Sequence, residues 1–185
     1  MPTPPTFVTG QVLTAAQMNT IGMHLIKTQT IPNGAGTAVV TGAFSSDYDN
    51  YSIKLSGVTS GNGGQSIAFR LNNSSGATYL IGGWFANFGS SAISGYGPAV
   101  GTSWTDIAAL DTATNGATIE LFTPFLTSRT TMACNSVRTG ASSNSWYMMT
   151  GVDTSAVSNT GFTIFPVGAG TTFTGGTIRV YGYRN

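Results

Sequence analysis

From residue 24 onward the chain alternates apolar and polar side chains with a period of two. Tyr51, Ile53 and Leu55 alternate with Ser52, Lys54 and Ser56, and Ile67, Phe69 and Leu71 alternate with Ser66, Ala68 and Arg70. The pattern returns at Trp146, Met148 and Thr150, at Phe162 and Ile164, and at Ile178 and Val180 between Thr177, Arg179 and Tyr181. Successive side chains of a strand point to opposite faces, so this alternation predicts antiparallel strands with one face buried. Turn-forming clusters punctuate it: Gly61-Asn62-Gly63-Gly64, Asn72-Asn73-Ser74-Ser75-Gly76, Thr114-Asn115-Gly116, Ser142-Ser143-Asn144 and Gly175-Gly176. The spacing predicts about eight or nine strands, the size of an antiparallel two-sheet sandwich of jelly-roll type. No repeat of fixed period and no linker divides this region, so residues 24–185 read as one all-β domain.

The first 23 residues follow another logic. Pro2, Pro4 and Pro5 disfavour a helix and suit an extended arm. Thr14 followed by Gln17 is a capping-box pair, and Leu13 with Met18 has the spacing of a hydrophobic staple. Together they predict one short helix from Ala15 to about Gly22. Residues 1–23 thus form an arm with a short helix ahead of the sandwich.

Composition narrows the function. Only 13 of 185 residues are charged, 7%, against about 25% in an ordinary soluble domain. Gly, Thr and Ser fill 73 of the 185 positions. A formal net charge of +1 without a basic cluster leaves nothing to neutralise nucleic-acid phosphates. No apolar run approaches the ~18 residues of a membrane span, which argues against membrane insertion. The opening Met-Pro-Thr-Pro-Pro-Thr lacks the basic start and apolar stretch of a secretory signal, so synthesis in the cytoplasm is expected. Cys134, the one cysteine, cannot form an internal disulfide or a structural zinc site.

Groups for catalysis are few. His24 is the single histidine, set where the first strand should begin. The acids are Asp47, Asp49, Asp106, Asp111, Glu120 and Asp153. Glu120 alternates with Ile119 and Leu121, which puts it on a solvent face, away from the paired geometry of a glycosidase. Asp47 and Asp49 bracket Tyr48 where Asp commonly forms turns; a calcium loop would need more oxygen ligands than follow them. Cys134, in the run Met132, Cys134, Ser136, reads as a small buried side chain. Met148-Met149 reads as one core and one surface residue. No motif for a cofactor is present, and no residue is assigned a catalytic or metal-binding role.

Scarcity of charge instead points to association. Charged side chains normally keep sheets soluble and discourage edge pairing. An exposed surface of Thr, Ser, Gly and Asn suits burial between sister subunits, and a closed homotrimer is the expected state. Aromatic residues add contact chemistry. Trp84 and Trp146 read as core. Tyr96 and Trp104, on Gly-flanked, turn-rich segments, suit either core packing or stacking on a glycan or a partner surface.

Phe7-Val8-Thr9-Gly10-Gln11-Val12-Leu13-Thr14-Ala15-Ala16-Gln17-Met18-Asn19 resembles the opening of many tailed-bacteriophage virion proteins, including minor tail proteins and tail fibres. Phe44-Ser45-Ser46-Asp47-Tyr48-Asp49-Asn50-Tyr51 and the ending from Gly175 to Asn185 are similar to phage sequences of the same kind. The resemblance implies a non-enzymatic structural component located in the virion. It would anchor to other virion proteins through Phe7, Val12, Leu13 and Met18 and display the β-domain outward. A tail-fibre or receptor-binding role, on a host surface glycan, is the first expectation. A head-decoration or head-fibre protein that reinforces the capsid is the alternative, and a polysaccharide-degrading enzyme a remote one.

Overall fold

A computed structural model of the chain describes residues 22–183, apart from 75, 91, 114 and 141–143, together with residues 9, 10 and 12. Twelve strands are present among them: β1 (His24–Thr30), β2 (Ala38–Val40), β3 (Asn50–Ser60), β4 (Gln65–Leu71), β5 (Tyr79–Asn87), β6 (Ser94–Gly101), β7 (Trp104–Leu110), β8 (Asn115–Phe122), β9 (Thr130–Arg138), β10 (Ser145–Asp153), β11 (Phe162–Val167) and β12 (Phe173–Tyr183). Every pairing is antiparallel. Eight strands form a large sheet in the order β1-β12-β3-β8-β9-β10-β5-β6, and four form a smaller one, β2-β11-β4-β7. The all-β, two-sheet architecture expected from the alternation is present. No helix occurs among the described residues, and the short helix expected from Ala15 lies outside them.

The strand count exceeds the expected eight or nine for identifiable reasons. β2 is three residues long, too short to show a period. β6 reads Ser-Gly-Tyr-Gly-Pro-Ala-Val-Gly, and its glycines erase the apolar–polar signal. Gly175-Gly176, expected as a turn, lies inside β12, where the register against β3 shifts. Gly176 has φ 137°, and a Cβ there would sit 2.9 Å from Val58 Cα. The pair therefore marks a bulge that lets two strands approach closely.

The inward faces are the ones the alternation identified, except on β10, where Ser145, Tyr147 and Met149 take the inner positions and Trp146, Met148 and Thr150, expected inside, lie on the outer face. Tyr51, Ile53, Leu55, Ile178 and Val180 of the large sheet and Ile67, Phe69, Leu71, Phe162 and Ile164 of the small one are buried. Aromatic rings form the seam. Phe69 stacks on Phe162 with ring centres 4.7 Å apart and planes at 14°. Trp104 lies 5.8 Å from Phe69 and meets Tyr79 edge-on at 5.1 Å. Burial of each such side chain contributes about 1.5–3 kcal/mol, and each well-placed ring pair about 0.5–1.5 kcal/mol more.

Three buried polar side chains near this core, Tyr51, Tyr79 and Asp111, find partners in the loops. Tyr51 donates its hydroxyl to the Ser45 carbonyl at 2.9 Å and accepts from the Ser45 amide at 2.8 Å. Tyr79 likewise donates to the Ser74 carbonyl at 2.9 Å and accepts from the Leu71 amide at 2.9 Å. Each tyrosine thus pins a connection to the sheet beneath it. Asp111 is buried at the end of β7, accepting from the amides of Gly64 at 3.1 Å and Thr112 at 2.7 Å. Burial alone would push its carboxyl up, but these amides, the Thr112 hydroxyl and the charge of Arg138 together hold it below the usual range.

Burial also pushes the Tyr79 phenol from 10.0 up to about 12, against the lowering effect of its hydrogen bonds to Ser74 and Leu71. A raised phenol means that the folded chain keeps a proton which the unfolded chain has already released. Its contribution is intact below pH 10 and is lost as pH climbs towards about 12. Urea midpoints measured across this range should fall with rising pH, and Tyr79→Phe should flatten the fall while lowering stability at neutral pH by about 1 kcal/mol.

Candidate interaction face

The two sheets differ in width, and the consequence lies at one flank. β7 of the small sheet packs across β9, β10 and β5. Beyond its reach Phe85 and Tyr147 stack at 5.6 Å and are only half-buried, although both point to the inner side. On the opposite, outer side of the same strands, register places a row of side chains over which no other strand of the described residues packs. Met148 lies between Asn135 and Trp84, Trp146 between Val137 and Ala86, and Thr150 between Ala133 and Gly82. On β6, Gly95 faces Trp84 and Val100 faces Leu80. Trp84 is 60% exposed, Met148 54%, Val100 65% and Val137 45%; Phe88 and Ile93, in the β5–β6 connection, are 57% and 62% exposed.

The strand chemistry explains this orientation. Tyr79 and Ile81 are buried inward, so Gly83 and Phe85 follow on the same face and Trp84 must turn out. A Cβ at Gly83 would stand 2.2 Å from the Met148 carbonyl oxygen. Glycine is therefore required there for β5 and β10 to pair this closely. Two shallow depressions lie on the outer face. One, of about 590 Å³, is lined by Lys54, Thr118, Asn135, Val137, Trp146 and Met148. The other, of about 500 Å³, lies over Leu80, Gly82, Thr131, Thr150 and Val152.

Toward β3 and β12 this outer face becomes polar. Glu120 accepts the Ser52 hydroxyl at 2.6 Å and the Tyr183 hydroxyl at 3.3 Å. Lys54 lies 3.9 Å from the Glu120 carboxylate and donates to Thr118 at 3.1 Å. Half-exposed pairs of this kind contribute about 0–1 kcal/mol and orient neighbours more than they stabilise.

The residues singled out as contacts separate sharply. Trp104 is fully buried; its indole N–H donates to the Leu80 carbonyl at 3.1 Å. Gly151 makes room for it, since a Cβ there would approach the indole nitrogen to 2.6 Å. Stacking of Trp104 on a glycan is thus excluded in this fold: Gly101-Thr102-Ser103 is a tight corner between sheets, and the ring falls into the core. Tyr96 is half-buried on β6 and packs against the core. Its hydroxyl donates to Asp106 at 2.9 Å, linking the edge of the large sheet to the edge of the small one. Burial holds this phenol above its ordinary value, and the Asp106 carboxylate adds to the effect against a lowering contact with Thr105. Asp106 adopts φ 57° and also accepts from the Ser66 hydroxyl. Trp84, expected in the core, is the reverse correction: it is on the surface. Trp146 is half-buried.

Of the arm residues, Val12 is 84% exposed; Phe7, Leu13 and Met18 lie outside the described residues. His24 opens β1, with its ring 5.8 Å from that of Tyr48. Asp47 turns into its own loop, accepting the Ser45 hydroxyl at 3.2 Å. Among the described residues no three His, Cys, Asp or Glu side chains converge as metal ligands would. Cys134 is buried, and burial pushes its thiol up to about 12, which keeps it protonated and unreactive at neutral pH.

In comparisons with known proteins, the chain matches no family model, no curated protein and no solved structure. Its function must therefore be argued from the outer face itself.

The two tryptophans give a direct check. Trp104→Ala should lower unfolding free energy by about 3–5 kcal/mol, because it opens a cavity in the seam. Trp84→Ala should change it by less than about 0.5 kcal/mol in the isolated domain. Urea unfolding would measure both; equal losses would contradict the assignment of one ring to core and the other to surface.

Proposed function

We propose that this chain is a non-enzymatic structural subunit of a tailed-bacteriophage particle, a homotrimeric β-sandwich displayed outward and held by its N-terminal arm. The observation that carries the reading is the uncovered outer flank. A domain with 7% charged residues leaves large aromatic and aliphatic side chains in water along one sheet face, as subunits built to meet a surface do. The opening from Phe7 to Asn19, with its likeness to phage virion proteins, supplies the particle.

Strand order supports a jelly-roll reading of the sandwich. β1-β12-β3-β8 facing β2-β11-β4-β7 is the eight-strand pattern of that fold. β5–β6 and β9–β10 are then insertions, and both extend the first sheet at the same flank. The exposed face is thus built from added strands, with the eight-strand sandwich as its support.

A tail-fibre or receptor-binding role fits this layout best. In the depression over Trp146 and Met148, apolar side chains suit the C–H faces of a sugar ring. Asn135, Thr118 and Lys54 at its wall suit the hydroxyls. This replaces Tyr96 and Trp104 as the glycan contact.

Deletion of residues 1–22 tests the arm. The truncated chain should fold with an unchanged strand signal by circular dichroism yet fail to join particles, and those particles should adsorb to host cells more slowly. Normal incorporation would contradict the anchor. Loss of incorporation with unchanged adsorption would assign the subunit to the head, as a reinforcing decoration.

A further inference from the structure

We infer that copies of this chain associate through the outer face of the β5–β6 hairpin, with Trp84 and Val100 seated against the same hairpin of a neighbouring copy. The inference rests on the reading of the chain as an oligomeric subunit and names the surface that makes the oligomer. Between Arg70 and Asp106 the sequence holds no Asp, Glu, Lys or Arg. This uncharged stretch comprises all of β5 and β6 and their connection. Trp84, Phe88, Ile93 and Val100 within it are 57–65% exposed. Together they leave on the order of 500 Å² of apolar side chain in water along the hairpin and its connection. It is well over half of the ~800 Å² that one partner brings to a standard interface.

The occupant that fits is a second copy. A foreign partner steered by charge would find none on this hairpin to read. Copies of an uncharged face meet without like-charge repulsion, and like hairpins gathered around a three-fold axis interdigitate only where projections and spaces occur together. The hairpin has both: Trp84 and Val100 project, while Gly82 and Gly97 carry no side chain. Gly95 lies beneath the Trp84 ring, whose nearest atom would be 3.6 Å from a Cβ there, and Gly97 opens to free space. β6 is the last strand of the large sheet, hydrogen-bonded to β5. It lacks the lysines that commonly guard an edge. Pro98 within it has no N–H to offer, which disfavours extending the sheet from copy to copy and favours packing face against face.

The test uses full-length protein at micromolar concentration, with mass measured by light scattering and native mass spectrometry. The natural chain should be oligomeric. Trp84→Lys and Val100→Glu, each at an exposed position, should weaken association roughly 100-fold by placing an unpaired charge in the contact. Both should melt as the isolated natural domain does. Val39→Lys, at a 52%-exposed apolar position on β2, should leave the oligomer intact. Oligomers unchanged in both hairpin variants, or dissociated equally by Val39→Lys, would overturn the inference while leaving the oligomeric reading in place. A monomeric natural chain would overturn both.

Discussion

The aromatic seam between the two sheets is the interaction on which everything else depends. Phe69, Phe162, Trp104 and Tyr79 form a continuous contact across strands from both sheets, and only 13 charged side chains exist in the sequence to share the work. With charged side chains so scarce, stability comes from apolar burial and from the hydrogen bonds of buried polar groups such as Tyr51, Tyr79 and Asp111. That is why the tyrosine hydroxyls of Tyr51 and Tyr79 reach loop backbone, and why the Asp111 carboxylate is ringed by amides.

The seam also determines where the molecule is left open. A four-stranded sheet cannot cover an eight-stranded one. The contacts of β7 with β9, β10 and β5 close the inner side as far as Met149, Cys134 and Ile81, all buried. The latch from Tyr96 to Asp106 ties the sheet edges together there. On the outer side no further layer follows among the described residues. The β9-β10-β5-β6 strands therefore present apolar side chains that the described residues leave exposed. In a surface with so few charges, the hydrophobic effect acts on this flank without electrostatic opposition. Function is read from that imbalance.

Much of the fold was legible in the sequence because burial on one face imposes a two-residue period. β3, β4, β11 and β12 declared themselves through Tyr51, Ile53, Ile67, Phe69, Ile164 and Ile178. The period fails where glycine stands at inward positions. Gly83 hid the alternation of β5, so Trp84 read as core; continuing the count from Tyr79 and Ile81 would have placed it outside. β6 was hidden by its own glycines. Trp104 stayed open between core and contact for a different reason: Gly101-Thr102-Ser103 has the composition of an exposed loop, yet it serves as a corner between sheets. Only the three-dimensional path, with Gly151 vacating space for the indole, reveals that. The bulge at Gly175-Gly176 belongs to the same class, since a close approach to Val58 leaves no local signature distinct from a turn.

The central claim is that the β5–β6 hairpin of the outer flank is covered in the working state of the protein. Hydroxyl-radical footprinting read residue by residue tests it most directly, on protein kept assembled and on protein diluted until it dissociates. Trp84 should be protected in the assembled sample and oxidised readily after dilution, while Leu126, 47% exposed in the β8–β9 connection, should react equally in both. Equal oxidation of Trp84 at every concentration would contradict the account.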